Sequence, residues 1–186
     1  MKKKPFIFFV LAPLLFQSCS IWNLSYNHAN LSKNMTYSSV ELQTSAYMKN
    51  VPLSCGFNVG YGTINSEVVF DWFFEDGVQL KGTFEDSGLT WGLTPVYYFS
   101  SSRLQPFIAC NFNSLWISEK KEEDKTSISA AYLSLTPNVG LRFFLSPKFA
   151  INGNYGYQFG KTKFDGIDIP KKTSGFNTSL GITLTF

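Results

Sequence analysis

Few residues in this chain have the type and spacing that catalysis or metal binding requires. The only histidine, His28, precedes the segments with a regular strand pattern. A histidine that acts as a general base must lie within hydrogen-bond reach of the group it deprotonates, and in a membrane lipase or protease it would occupy a loop or a strand end. We interpret His28 as an exposed residue of a linker. We therefore predict that the chain is not an enzyme and has no catalytic residue, metal or cofactor.

Charged side chains within the predicted strands are a second candidate site. Asp71, Glu75 and Glu85 share one predicted strand face with Lys81 and Arg142. Two interpretations are open: a charged gate or proton path, or a network that neutralises itself and fills a narrow barrel. The second is favoured because an eight-stranded barrel is just wide enough for its own side chains. We predict no open pore for solutes.

Two cysteines, Cys55 and Cys110, invite a disulfide interpretation if the chain is exported, because disulfides persist in oxidising compartments. The strand pattern places both on the outward face of strands that are not neighbours. We therefore predict two free thiols.

The N-terminus has the pattern of a secretory signal peptide. Three lysines at positions 2–4 precede an apolar run at 6–16, which is broken only by Pro13. The run is shorter than the roughly 20 apolar residues of a transmembrane helix. We predict an exported chain with residues 1–20 as its signal peptide.

Two cleavage sites are open. Ser18 and Ser20 fit the small positions of an ordinary signal-peptidase site, with a mature start at Ile21. The segment 15–19 instead resembles a lipoprotein signal, in which Cys19 is acylated after cleavage, although bulky Phe16 departs from the usual pattern. Cys19 is thus the candidate lipidation site.

The composition fits a protein surface that faces lipid. Aromatic residues make up 17% of the chain and charged residues 16%, against roughly 25% charged residues in soluble domains. Without the three signal-peptide lysines, 16 − 3 = 13 basic residues balance 13 acidic ones. A neutral mature chain has no nucleic-acid footprint.

From residue 50 to residue 186, apolar residues alternate with small polar ones, which is the period of half-buried strands. The sequence predicts an all-β fold, an eight-stranded antiparallel up-and-down transmembrane β-barrel over residues 51–186. Its connections alternate between long and short, as in membrane barrels. We expect turns at 75–77, 86–88, 100–103 and 146–148, and long loops at 118–127 and 160–175. The predicted strands are 53–61, 68–74, 78–85, 89–99, 104–116, 133–143, 149–159 and 177–186.

The polar face of these strands consists mainly of Asn, Gly, Ser, Thr and Gln. Small uncharged groups suit a crowded lumen in which neighbours satisfy one another, so we expect the apolar face to contact lipid. Aromatic residues at strand ends would form interface girdles. The alternative is a secreted or lipid-anchored lipocalin-like barrel that holds an apolar ligand inside. The predicted girdle residues are Trp91, Tyr97, Phe99, Tyr155, Tyr157 and Phe159.

Residues 21–50 differ from the rest, being rich in Asn, Ser and Tyr with only a weak alternation at 40–44. Two interpretations are open. We favour a periplasmic N-terminal segment that tethers the barrel over an extra strand, which would shift the strand count.

The terminal strand carries a family resemblance. Leu180, Ile182, Leu184 and Phe186 form an apolar stripe that stops on an aromatic residue, and a soluble sheet seldom ends so. Together with the segment 137–151, this stripe resembles the small outer-membrane β-barrel proteins of the OmpX and OmpA-barrel type, within the broad "outer membrane protein β-barrel domain" group.

The resemblance implies a bacterial outer-membrane location and a structural, surface-exposed or adhesion-type role, without an open pore. It implies that the barrel-assembly machinery recognises the terminal stripe. Outer-membrane lipid and lipopolysaccharide are the expected partners of a monomer. The mixed-charge segment 119–125 is then either a solvated loop tip or a contact for lipopolysaccharide phosphates or a host surface. The lysines of the last loop, Lys161, Lys163, Lys171 and Lys172, are interpreted in the same way.

Overall fold

Long strands dominate the computed structural model, which describes residues 20–31, 35–47, 51–70, 80–119, 128–164 and 172–186. In these ranges the chain forms eight strands. They are β1 Ser20–Leu31, β2 Met35–Tyr47, β3 Leu53–Phe70, β4 Leu80–Tyr98, β5 Leu104–Glu119, β6 Ile128–Ser146, β7 Phe149–Phe164 and β8 Lys172–Thr185.

Every strand pairs antiparallel with its neighbours in sequence, and β1 pairs with β8 to close the sheet. The result is the predicted closed up-and-down barrel. We call the end that carries connections 48–52, 99–103 and 147–148 the turn end. The end with connections 32–34, 71–79, 120–127 and 165–171 is the loop end.

Side chains alternate between the lumen and the outer surface, as the pleat of a strand requires. In β8, for example, Asn177 and Ser179 are buried in the lumen while Leu180 and Ile182 are exposed outside. The predicted assignment of the two faces, polar side inward and apolar side outward, is confirmed.

The predicted N-terminal boundary of the barrel is wrong. Residues 21–50 are not a tether, because they supply β1 and β2, and the barrel begins at Ser20 and not at residue 51. Ser20 pairs with Ala46 across the first hairpin, and Ile21 pairs with Thr185 across the closing seam. The alternation in this segment is weak because its outward positions mix apolar residues with Asn, His and Ser.

The count of eight strands is confirmed, but two strands were divided wrongly. The described parts of the predicted strands 53–61 and 68–74 lie in the single strand β3, and residues 80–85 and 89–98 of the next two predicted strands lie in β4. The expected turn at 86–88 lies inside β4, where Ser87 pairs with Thr63. The expected turn at 75–77 lies outside the described residues. Strands β5, β7 and β8 also extend into the predicted loops 118–127 and 160–175.

Both described cysteines are free, as predicted. Cys55 lies on β3 and Cys110 on β5, so β4 separates them. In the part of the chain that the structure covers, no helix has the length and apolar character to cross a membrane.

Candidate functional site

The lumen is the first candidate site, and an apolar cluster fills it near the loop end. Tyr37 and Tyr132 are buried with their ring centroids 5.5 Å apart. Gly160 makes room for them, because a Cβ at this position would overlap the Tyr132 ring. Buried aromatic and aliphatic side chains thus pack against one another at this level of the lumen. The loop-end cluster consists of Ala29, Leu31, Met35, Tyr37, Ile64, Leu115 and Tyr132.

A second cluster fills the lumen near the turn end. Val96, Tyr98 and Phe107 are buried there, and Tyr47 packs against them. The guanidinium carbon of Arg142 lies 4.7 Å from the Tyr98 ring centroid, which is a cation–π contact. The turn-end cluster is thus a mixed aromatic and cationic plug.

A polar layer separates the two clusters, and Glu41 is at its centre. The Glu41 carboxylate is 3% exposed and accepts hydrogen bonds from Ser39 Oγ at 2.8 Å and from Asn58 Nδ2 at 2.8 Å. Asn113 Nδ2 donates to it at 3.1 Å, and Tyr37 OH lies at 3.5 Å. These donors come from β2, β3 and β5, so one carboxylate joins separate walls of the barrel. A buried carboxylate is tolerated only when donors surround it in this way.

A close approach makes this network possible. A Cβ on Gly92 would overlap Asn113 Oδ1 and the Phe112 carbonyl oxygen. Asn113 Oδ1 also accepts a 2.8 Å hydrogen bond from Asn58 Nδ2. Glycine at position 92 therefore lets Asn58 and Asn113 meet each other and Glu41.

The sequence predicted the charged lumen only in part. Arg142 lies inside as expected, but Glu85 is exposed and pairs with Asn65, which is also exposed. Its predicted face is wrong because β4 continues through 86–88 without a turn. Asp71, Glu75 and the side chain of Lys81 lie outside the described residues. Among the described residues, the fully buried carboxylate of the lumen is Glu41, which was not predicted as a lumen residue.

Replacing Asn113 by Leu tests whether this network stabilises the barrel. The change removes a donor from Glu41 and an acceptor from Asn58, so we expect the free energy of unfolding to fall by about 1–3 kcal/mol. The measurement is urea unfolding in lipid vesicles. The matched control is Asn111→Leu, because Asn111 accepts one longer bond of 3.3 Å from Asn138 and does not contact Glu41. Equal losses in both variants would contradict a special role for the Glu41 network.

The outer surface is the second candidate site, and it is apolar around the barrel. Large apolar side chains on different strands are well exposed there, among them Leu93, Val139 and Leu180, the last at 72%. The lumen between the clusters is lined by polar residues such as Asn23 and Thr136. This arrangement is the reverse of a lipocalin-like barrel, which needs an apolar lumen and a polar exterior. It suits a barrel whose solvent is lipid.

Aromatic residues on this surface form local groups. Phe176 packs against Tyr155 and Tyr157, with centroid distances of 5.5 and 5.3 Å. Tyr97 and Phe99 are 5.3 Å apart at the turn end, where a girdle was expected. Trp91 and Tyr155 are not at strand ends as predicted. Trp91 pairs with Val59 well inside the β3–β4 ladder, and Tyr155 pairs with Val139 in the interior of β6 and β7.

His28 is a strand residue and not part of a linker. It lies on the outer face of β1, where its Nδ1 is 2.9 Å from Ser38 Oγ on β2. A serine hydroxyl beside an imidazole is two thirds of a nucleophilic triad. Tyr26 OH donates a 3.5 Å hydrogen bond to Ser38 Oγ. The side chains joined in this contact are therefore a tyrosine, a serine and a histidine, and none of them is the carboxylate that a triad needs. The pair therefore has the geometry of a cross-strand polar contact.

The remaining predicted site residues lie at the ends of the described chain. The terminal stripe is on the outer face of β8, with Leu180, Ile182 and Leu184 each at least 41% exposed and Phe186 at 70% just beyond the strand. Cys19 lies outside the described residues, directly before β1. In the described part of the chain, no group of three or more His, Cys, Asp or Glu side chains is placed to hold a metal ion.

The fold matches solved structures of outer-membrane proteins. Neisserial surface protein A (NspA) is 15% identical with a TM-score of 0.59, and the match covers 91% of this chain and 100% of that one. The outer-membrane protein OprG from Pseudomonas aeruginosa is 13% identical with a TM-score of 0.59, over 90% of this chain and 95% of that one. No protein-family model and no curated protein sequence matches the chain. At these identities the likeness establishes the fold, which is that of the small eight-stranded outer-membrane β-barrels.

Proposed function

We propose that this chain is an integral outer-membrane protein that displays its loops at the cell surface, in a structural or adhesion-type role without catalysis or an open pore. One observation carries the proposal: an apolar outer surface surrounds a lumen that side-chain clusters fill near both ends. The first half of that observation supports residence in a membrane. The clusters in the lumen support the absence of a pore. A partner would then bind the connections between the strands.

The distribution of charge indicates which connections matter. Twelve of the 13 acidic residues and nine of the basic ones lie in the loop-end connections or in the loop-end halves of the strands, whereas the sequence has no acidic residue in 87–118 or 126–164. Segment 119–125 combines Lys120, Lys121 and Lys125 with four carboxylates. Lysines at this end would face the phosphates of lipopolysaccharide, which is the partner we propose for a monomeric barrel. The name of NspA, a surface protein of the same fold, agrees with a surface role.

The proposal is tested by removing matched pairs of lysines from opposite ends. We expect Lys120→Gln with Lys121→Gln to weaken binding to lipopolysaccharide micelles, by about 1 kcal/mol per cation near an anionic surface. The control pair, Lys49→Gln with Lys148→Gln at the turn end, removes the same charge and should weaken that affinity less than the loop-end pair does. Binding is measured by titration in detergent, and heat-modifiable gel migration confirms that each variant folds.

The same proteins are reconstituted into vesicles loaded with small sugars. Neither the native chain nor either variant should release them. Release by the native chain would contradict the closed lumen, and loop-end lysine variants that bind lipopolysaccharide with native affinity would contradict the proposed partner.

A further inference from the structure

The turn end of the outer surface combines a polar cavity with an apolar groove. The polar cavity, about 510 Å³, lies between turn 99–103 and turn 147–148 and is lined by Ser101, Ser102, Arg103, Gln105 and Ser146 among others. The apolar groove, about 730 Å³, runs over the outer face of the neighbouring strands. Its lining includes Leu104, Leu141, Phe143, Ile151, Gly153 and Ile182. Arg103 lines the polar cavity and Phe143 lines the apolar groove, and these two side chains are in contact.

Arg103 is fixed at this junction. Its Nε donates a 2.7 Å hydrogen bond to the carbonyl oxygen of Phe144, and its guanidinium carbon lies 5.0 Å from the Phe143 ring centroid. These contacts orient the side chain while its terminal nitrogens remain at an exposed position. A guanidinium held in this way is suited to bind a phosphate.

The polar cavity offers further groups for a phospholipid head group. Ser146 Oγ accepts hydrogen bonds from the backbone N–H groups of Lys148 and Phe149, so its own hydroxyl proton remains available to donate. Gln105 Oε1 is buried and has no hydrogen-bond partner in the described structure. Its side chain is on the lumen face of β5, the face of Phe107, and lines the cavity from that side.

The charge at this end is of one sign. The turn-end connections and their flanks carry Lys49, Arg103 and Lys148, and the sequence places no acidic residue in 42–66, 87–118 or 126–164. An anionic head group would thus meet the cations of these segments without an opposing side-chain carboxylate from the same segments. A single ligand that occupied both the polar cavity and the apolar groove would therefore need an anionic end and an apolar end.

Gly153 gives the groove its depth. It lies on the outer face of β7 between Leu141 of β6 and Leu180 of β8. An added Cβ would approach Leu180 Cδ2 to 3.3 Å, and the backbone at this position is not in the left-handed region. A larger residue here would fill the groove without backbone strain.

We propose that the turn end binds one anionic phospholipid of the leaflet that it faces. The phosphate lies on Arg103, the head group occupies the polar cavity, and an acyl chain lies along the groove past Phe143 to Gly153. The site is on the opposite end of the barrel from the loops and does not depend on their role.

The test is native mass spectrometry of the folded protein, released from micelles that contain equal amounts of phosphatidylglycerol and phosphatidylcholine. We expect phosphatidylglycerol to be retained about fivefold more than phosphatidylcholine, the effect of one cation near an anionic lipid. Arg103→Gln should abolish the preference, while Arg103→Lys, which keeps the charge but loses the Nε bond, should retain most of it. Gly153→Leu should reduce retention of both lipids.

Matched controls are Lys161→Gln, at the loop end, and Val59→Leu, on the outer face of β3 on the opposite wall. Both should behave as the native chain, and heat-modifiable migration should show that all variants fold. Equal retention of the two lipids by the native chain would overturn the proposal, as would an unchanged preference in Arg103→Gln. A dimer that Gly153→Leu abolishes, without lipid adducts, would also overturn it and assign the groove to a second copy.

Discussion

Replacing Val139 by Arg is expected to lower the free energy of unfolding in a bilayer by about 2–4 kcal/mol. Val139 is 60% exposed and lies in the middle of the outward apolar run of β6, which extends from Leu133 to Leu145. It pairs with Ile108 and Tyr155 on the neighbouring strands, so no carboxylate on the flanking strands is directly opposite the new charge. A guanidinium at this depth must either remain desolvated or draw water into the hydrocarbon.

The matched control is Leu145→Arg on the same strand. Leu145 is also exposed, at 49%, but lies beside the turn at 147–148. There the cost of a cation falls to about 0–1 kcal/mol because the interface supplies water and phosphate. The measurement is denaturant unfolding in vesicles. Equal stability of the two variants would mean that Val139 does not face the membrane core, and both the orientation of the barrel and its location in the membrane would be wrong.

The outward orientation of Val139 and Leu145 could be predicted from the sequence, because it depends only on the strand period. From residue 89 onward the outward and inward positions follow from alternation, and the chemistry of the polar face distinguishes lumen from solvent. Asn, Ser and Thr are common at the inward positions, whereas a soluble barrel would expose Lys and Glu on its polar face. The choice between membrane and lipocalin-like barrel therefore did not require coordinates.

The N-terminal strands were missed because their alternation is weak. β1 has polar Asn27 and His28 on opposite faces, and period alone does not distinguish the lumen side from the outer side there. What orders the segment is pairing with residues far away in the sequence, including Ile21 with Thr185. Glu41 was missed for the same reason, since its donors Asn58 and Asn113 come from other strands. The available signal was the run 40–44, in which Val40 and Leu42 flank Glu41 as they would on a barrel strand.

The erroneous turn at 86–88 shows how tertiary pairing overrides local chemistry. Asp-Ser-Gly is a strong turn signal, and Asp86 Oδ1 accepts a local hydrogen bond from the Ser87 backbone N–H at 2.8 Å. The ladder nevertheless continues, with Asp86 opposite Ile64 and Gly88 opposite Gly62. A long partner strand supplies more backbone hydrogen bonds than a local turn can.

Closure of the barrel gives the terminal residue a different role from the one that its hydrophobicity suggests. The β8 ladder ends at Thr185, which pairs with Ile21 and donates its N–H to the Lys148 carbonyl oxygen at 2.9 Å. A barrel that began at the predicted strand 53–61 would pair its last strand with that segment. This expectation is wrong, because β8 pairs with β1. Phe186 follows the ladder and is 70% exposed. It therefore contributes little to the stability of the closed barrel.

Deleting Phe186 should accordingly separate assembly from stability. In cells, we expect most of the shortened chain to fail to reach the outer membrane, because the assembly machinery is predicted to recognise the stripe of Leu180, Ile182, Leu184 and Phe186. Refolded into vesicles without that machinery, the same chain should be within about 0.5 kcal/mol of the native stability, as expected for an exposed position. A charged extension after residue 186 should act in the same way, and Phe186→Tyr, which keeps the aromatic ring, should assemble normally.

The measurements are heat-modifiable protein in outer-membrane fractions and unfolding in vesicles. Normal insertion of the shortened chain would reduce the motif to a hydrophobic tail, whereas equal losses in cells and in vesicles would show that Phe186 stabilises the barrel and is not a recognition element.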